Sequence, residues 1–540
     1  MPNIDAGVPP TGSASDLPIV EASSTELAWG DCSSFGAPSI DVLGTSGWEC
    51  TRLTAAMDPF GDVSVSGDVE LALTRHPATG DRRGAIVLNP GGPGGAGLPM
   101  AWNVRGGMPA DILRGFDIVS WDPRGVGQSF PKIDCDDAVV PGDEDFITRC
   151  AEVTGPLAAF LSAPYSAEDM EAIRVALGEP KLNYFGYSYG SILGATYAAA
   201  HPDSVGAFVL DGVTDPLAGS PEGPFDDGFA TLADDGTQAA RDRFAELCNA
   251  TDRCLFSLDA NTILNDLGSQ IPVLPTADFA GMPDQVSTDD YEGLLNEAVT
   301  YAGDWELLAT ALSDADRGDA SAMAALLTVF ADPSDTQTET DGDELMGESD
   351  FAEANFLIYC ADLGPQITEW TFCDGVPLNR QPLTAVQEVD VERPILLIGT
   401  ENDPLTPGYH APEFAEALVD ATHMIWEGVG HTAFPGWTPC IDRAVSAQFL
   451  REPVPADGTR CEFLLGVSDD EELGDELFGH GDIESNNLLR FTLRNRGAGD
   501  EASCIADAVN QKPDHVISHV VLDVTSDAAG SALDIARSAC

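Results

Sequence analysis

A chain of 540 residues is longer than the roughly 250 to 300 at which single cores stop growing, so a catalytic-size domain with additions is expected. Lys plus Arg number 25 against 90 Asp plus Glu, a formal net charge of −65, which repels a phosphate backbone and argues against a nucleic-acid partner. No apolar run approaches the roughly 18 to 20 residues that a spanning helix needs, so membrane insertion is not expected either.

The acids are spread along the chain, and only three residues are lysines (Lys132, Lys181, Lys512). Such a surface repels itself, and screening by salt should stabilise it. It reads first as adaptation to a salty setting and second as an attractive field for substrate.

Twelve cysteines stand at 32, 50, 135, 150, 248, 254, 360, 373, 440, 461, 504 and 540, none in the paired spacing of a zinc site. The simplest connectivity joins sequence neighbours: Cys32 with Cys50, Cys135 with Cys150, Cys248 with Cys254, Cys360 with Cys373, Cys440 with Cys461 and Cys504 with Cys540. Other pairings stay open. Disulfides persist in oxidising compartments, so an exported, extracellular or cell-envelope protein is expected. The opening segment is polar and rich in Pro, Gly and Ser, with no apolar core of a secretory signal, so the signal is expected to have been removed. Residues 1–25 then form a flexible segment.

In chain order, 69–78 alternates as a strand, and 83–97 is a buried apolar run that breaks into glycines. Residues 116–129 repeat that form. A Ser cap signal and helical spacing place a helix over 166–177, and 181–202 reads as strand, sharp turn and helix, followed by a strand over 205–213. Strands alternating with helices predict an α/β fold, a doubly wound and mostly parallel sheet with helices on both faces. Residues 26–213 would form its first half. From 214 to 391 the pattern turns helical, which reads as an inserted lid containing a loop over 331–350 with eight acids and no base. The buried-strand pattern returns at 393, so residues 392–461 complete the sheet. Residues 462–540 read as a small appended acidic, helical domain.

Gly186-Tyr187-Ser188-Tyr189-Gly190 is a G-x-S-x-G motif between the predicted strand and helix, where small flanking residues let a serine stand exposed on a strained turn. Alone the motif is weak; the strand-turn-helix context makes it specific. Acyl transfer also needs donors for the oxyanion. The glycine-rich stretch 89–95 is placed to supply one, from Gly92 first and Gly91 second, beside the N–H of Tyr189. A phosphate loop is disfavoured, since no Lys-Ser/Thr follows. A base and an acid must follow the serine. His431 and Asp403 each come directly after a predicted strand, 28 residues apart, which leaves room for one helix and one strand between them. Glu401 and Asp420 are the rival acids; Thr406, three residues after Asp403, reads either as a hydrogen-bond donor to that carboxylate or as an ordinary turn residue.

The motifs NPGGPGG, WDPRGVGQS, GYSYGS, GTENDPLTP and GVGHTAF, in this order, resemble the α/β-hydrolase fold and, more narrowly, the secreted actinobacterial tripeptidyl aminopeptidases, relatives of the proline iminopeptidases in peptidase family S33. The likeness runs from about Trp29 to Cys461 and includes the Cys440 and Cys461 pair of the family's TAP-like C-terminal region. It implies a serine exopeptidase: Ser188 attacks, His431 carries the proton, Asp403 orients it, and Gly92 with Tyr189 holds the oxyanion. It implies a peptide substrate with a free N-terminus and no metal or organic cofactor. It also implies lid acids that bind the substrate's α-amine, with Glu306, Glu353, Asp362 and Glu401 as candidates. Two features depart from it: Pro90 stands where the proline iminopeptidases carry a histidine, and residues 462–540 lie outside the likeness. The competing readings are an esterase or amidase acting on small esters and a non-catalytic binding module that kept the fold. The oligomeric state is not legible.

Overall fold

The computed structural model describes residues 27–35, 47–61, 67–133, 135, 146–213, 228–250, 254–276, 285–301, 305–330, 348–363, 373, 376–377, 381–384, 386–436 and 438–462. The expectations for residues 1–25, the acidic stretch over 331–347 and the tail with its Cys504 to Cys540 bond lie outside these residues.

Nine strands form one sheet: β1 (Glu49–Ala56), β2 (Asp68–His76), β3 (Gly84–Asn89), β4 (Phe116–Trp121), β5 (Leu182–Tyr187), β6 (Val205–Asp211), β7 (Ile395–Asn402), β8 (Ala421–Val429) and β9 (Thr459–Cys461). Their order is β1-β2-β4-β3-β5-β6-β7-β8-β9. β1 pairs antiparallel with β2, and β2 with β4, while the pairs from β4 through β9 are parallel. Every residue of β3, β4 and β6 is buried, as strands covered on both faces require.

Side chains alternate across that sheet and divide the apolar interior in two. Ile86, Leu88, Phe185 and Val209 point into one core, where they meet α1 (Gly97–Val104), α2 (Ala110–Gly115) and, from the far end of the chain, α13 (Pro439–Leu450). Ala85, Val87, Tyr184 and Phe208 point into the other, against α3 (Phe146–Thr154), α4 (Ala163–Ala176), α5 (Tyr189–Ala200) and α12 (His410–Leu418). The helix expected over 166–177 begins earlier, at Ala163, because Pro164 suits a first turn that has no N–H bond to lose. β1 and β9 were not expected; β9 is three residues long and too short to show a pattern.

Between β6 and β7 the chain inserts α6 (Gly228–Ala250), α7 (Ala260–Gln270), α8 (Thr288–Thr300), α9 (Trp305–Asp316), α10 (Ser321–Phe330) and α11 (Glu348–Leu363). Phe244, Leu267, Tyr291, Leu294, Trp305 and Leu308 bury the facing stripes of α6 to α9. Disulfides join Cys32 to Cys50, Cys135 to Cys150, Cys248 to Cys254, Cys360 to Cys373 and Cys440 to Cys461, and no cysteine among the described residues is free. No helix among them is long and apolar enough to cross a membrane.

Candidate active site

The parallel strands end together on one edge, and the loops leaving β3, β5, β6, β7 and β8 meet there. Ser188 follows β5 and opens α5 with φ +53° and ψ −124°, a conformation that costs a non-glycine residue strain and persists only where its surroundings enforce it. They do so here by close packing. A Cβ on Gly186 would lie 2.3 Å from the carbonyl oxygen of Gly190, and one on Gly194 would lie 2.6 Å from Leu210 Cδ2. The small residues thus let α5 sit tightly under the turn. Ser188 itself is half-buried, within reach of solvent.

The loop after β3 crosses this turn closely enough that a Cβ on Gly91 would meet the carbonyl of Tyr187 at 2.3 Å and the amide nitrogen of Tyr189 at 2.9 Å. The Gly91 N–H donates to Asn89 Oδ1 at 3.0 Å, which leaves Gly92 N–H as the loop's candidate oxyanion donor opposite that of Tyr189. The inserted helix α11 braces the loop from outside. Asn355 Nδ2 donates to the carbonyl of Pro93 (2.9 Å), and the Tyr359 hydroxyl donates to that of Gly92 (3.4 Å).

Asp403 and His431 follow β7 and β8, with α12 and β8 between them. His431 Nδ1 lies 2.9 Å from both carboxylate oxygens of Asp403. The carboxylate also accepts from the N–H groups of Leu405 and Thr406 and from the Thr406 hydroxyl (2.9 Å), so its lone pairs are committed and its orientation is set. Burial works to raise the Asp403 carboxyl, but the charge and hydrogen bond of His431, with the Thr406 and Leu405 amides, hold it below its ordinary value. Burial works in turn to lower His431, and the Asp403 charge and bond, with a further contribution from Asp211, raise it above its ordinary value. The rival acids are occupied elsewhere: Glu401 pairs with Arg460 at 2.7 Å on the outer edge of the sheet, and Asp420 accepts from Val391 N.

Asp211-Gly212 at the end of β6 lies against both Ser188 and His431. The Ser188 N–H donates to the carbonyl of Asp211 (2.8 Å), and a Cβ on Gly212 would lie 3.3 Å from His431 Cε1 and 3.0 Å from Thr406 Oγ1. No hydrogen bond joins Ser188 to His431 among the described residues; such contacts are often long before substrate binds. The arrangement places a strained, half-buried serine and an oriented imidazole on one edge of the sheet, residue types that acyl transfer uses.

The amine-binding expectation needs correction for two carboxylates. Glu353 is 2% exposed and accepts from the amide of Cys135 (2.8 Å), while Asp362 is wholly buried and accepts from Ala163 N and from the Tyr189 hydroxyl at 2.7 and 2.5 Å. Both are buried and tie α11 to the core. Burial pushes the Asp362 carboxyl up to about 7. Glu401 is spent on Arg460, and the side chain of Glu306 lies outside the described residues. Cys135, Cys150 and Glu353 cluster tightly enough to suggest a metal, but the two sulfurs are joined and carry no thiolate.

Sequence reasoning missed Asp211, whose buried carboxylate takes the N–H groups of Ala433 and Phe434 just beyond His431. It also missed Asp122, which ties the WDPRGVGQS loop to α1 by accepting from Leu98 N and Gln128 N. An acid closing a buried strand was the only available signal for either.

The family described as the alpha/beta hydrolase fold matches residues 84–435, which include every residue of this constellation. The chain belongs to the α/β hydrolase fold family. This α/β hydrolase is 29% identical over 488 residues to "Serine protease Hip1" of Mycobacterium tuberculosis, covering 81% of the chain and 91% of the relative. It is 37% identical over 197 residues to the "Tripeptidyl aminopeptidase" of Streptomyces coelicolor, covering 31% of the chain and 35% of the relative. A "Carboxylesterase B" of Mycobacterium tuberculosis is 27% identical over 519 residues, covering 84% of the chain and 92% of the relative.

Proposed function

We propose that this α/β hydrolase is an exported serine peptidase that removes short peptides from free N-termini through an acyl-enzyme. The observation that carries the hydrolytic part is the Asp403–His431 pair on the same sheet edge as the strained Ser188 turn, against which the glycine loop packs. In this reading Ser188 Oγ attacks the scissile carbonyl as His431 Nε2 takes its proton. The imidazolium is stabilised by Asp403 and then protonates the leaving amine, and water resolves the ester by the same route.

The inserted helices support exo action. α8 reaches the base, since the His431 N–H donates to the carbonyl of Thr300 (2.6 Å). α6 packs on the acid loop, where a Cβ on Gly236 would lie 2.5 Å from the carbonyl of Pro404, and α11 covers the glycine loop. Inserted helices against the base, acid and glycine loops favour a chain end over the middle of a long chain. The relatives named serine protease and tripeptidyl aminopeptidase support peptide substrates, and the five disulfides support export.

The carboxylesterase relative favours small esters as the second reading. Matched peptides with free and acetylated N-termini, followed by mass spectrometry, separate the two. Free peptides should release short N-terminal fragments, and acetylation should lower kcat/KM at least about tenfold through loss of a charge-assisted contact. Ser188→Ala should abolish both. Equal cleavage of blocked and free peptides, internal cuts, or hydrolysis of esters alone would overturn the aminopeptidase reading.

A further inference from the structure

Asp211 closes β6 and has no solvent exposure. Its main chain and side chain grip different parts of the site. The carbonyl oxygen accepts from Ser188 N at 2.8 Å, while Oδ2 accepts from Ala433 N and Phe434 N at 2.9 and 2.8 Å, and Oδ1 lies 3.1 Å from Ala433 N. Ala433 and Phe434 continue the loop that begins Gly430-His431, in which Thr432 has φ +68°. The rest of the turn is held by Gly430 N–H to the Asn402 carbonyl, His431 N–H to Thr300 on an inserted helix, Thr432 N–H to Asp403 and the Phe434 ring stacked on Phe185.

We propose that Asp211 is a positioning residue: its buried carboxyl holds the loop that carries His431 at a fixed place relative to Ser188 and supplies the imidazole with a second negative field beside Asp403. A purely structural acid in such a site would be served as well by a neutral amide, because an amide oxygen also accepts two N–H bonds. The field distinguishes the roles. The charged and titratable groups facing Asp211 are Asp403 after β7, His431 after β8 and the Tyr187 phenol on β5, beyond which lies Asp442 on α13. Burial first, and then the Asp403 charge, push the Asp211 carboxyl up to about 7 against the pull of the Ala433 and Phe434 amides and of His431. Each group's charge acts on the other, so their ionisations are coupled.

The inference rests on the serine-hydrolase reading for its kinetic consequence, and the test separates the two. The rate of fluorophosphonate labelling of Ser188 is measured from pH 5 to 9 in the full chain and in the Asp211→Asn and Asp211→Ala variants. Asp211→Asn should move the acidic limb of labelling to lower pH by at least about half a unit. Asp211→Ala should lower the plateau at least tenfold. An unmoved limb in the first variant together with an unmoved plateau in the second overturns the proposal, and an unmoved limb alone overturns the field. If neither variant folds, the ring-proton NMR titration of His431 in the unaltered chain, assigned through His431→Gln, decides it. Two inflections support the coupling; one overturns it. A parent chain that takes no label refutes the hydrolase reading and leaves the NMR result standing on its own.

Discussion

Gly91→Ala tests whether the glycine loop is held against the nucleophile turn as tightly as the structure shows. The added methyl would begin 2.3 Å from the Tyr187 carbonyl and must retreat to at least 3.0 Å, a shift of about 0.7 Å, while Tyr189 N and Ser188 Cβ crowd it at 2.9 and 3.1 Å. Those neighbours belong to the strained turn itself and cannot give way cheaply. The loop must therefore move, carrying the Gly92 N–H off its line. A displacement near 1 Å, or loss of one oxyanion donor, costs about a hundredfold in turnover, or about 2.7 kcal/mol of barrier. The backbone at Gly91 has φ +86°, which adds about 1 to 2 kcal/mol of strain and should lower Tm by a few degrees. Steady-state kinetics on a p-nitrophenyl ester and on a free peptide should show the loss in kcat, with KM nearly unchanged because the donor acts on the developing oxyanion. Gly106→Ala is the control, since a methyl there meets nothing within 4 Å. A Gly91→Ala enzyme within threefold of the parent, with unaltered Tm, would refute this account of the loop.

Activity should be lost as pH falls through a value above the ordinary 6.5 of histidine, because His431 is raised and serves as base only when neutral; a limb centred below 6 would contradict the Asp403 contact. The same shift has the opposite sign for stability. A histidine raised in the folded state contributes fully below its unfolded value and loses that contribution as pH rises through its folded one, so chemical denaturation at pH 5.5 to 8.5 should show the His431→Gln variant losing least at the alkaline end. Thiol titration of denatured, unreduced protein should find no more than two free thiols, from Cys504 and Cys540 if these are unpaired; four or more would contradict the five bonds. Added salt should raise Tm by screening a net charge of −65, and a fall between low and molar salt would show that self-repulsion is not limiting.

The amino-acid pattern was sufficient for the parallel sheet, because strands buried on both faces, such as 84–89 and 205–211, are apolar runs closed by a polar residue, Asn89 and Asp211. It also singled out Ser188, Asp403 and His431 as candidates, since each stands just after a strand, where a parallel sheet collects its loops. The Asp403 and His431 spacing of 28 residues left room for α12 and β8, and the structure fills it with those two elements. What local pattern does not carry is the direction in which a carboxylate faces once helices pack. Glu353 and Asp362 sit on α11 with two other acids, Glu348 and Asp350, and only the docking of that helix turns them inward onto Cys135, Ala163 and Tyr189. Asp211 is the same case at the sheet's edge. Its partners Ala433 and Phe434 are more than 220 residues away in the chain, and they meet it only because β6, β7 and β8 lie side by side. Sequence determined which residue types reach the site, through periodicity over a few residues. Tertiary structure decided which acids face the reaction and which hold it in place, because a buried charge is placed by its long-range hydrogen bonds, and these have no local signature.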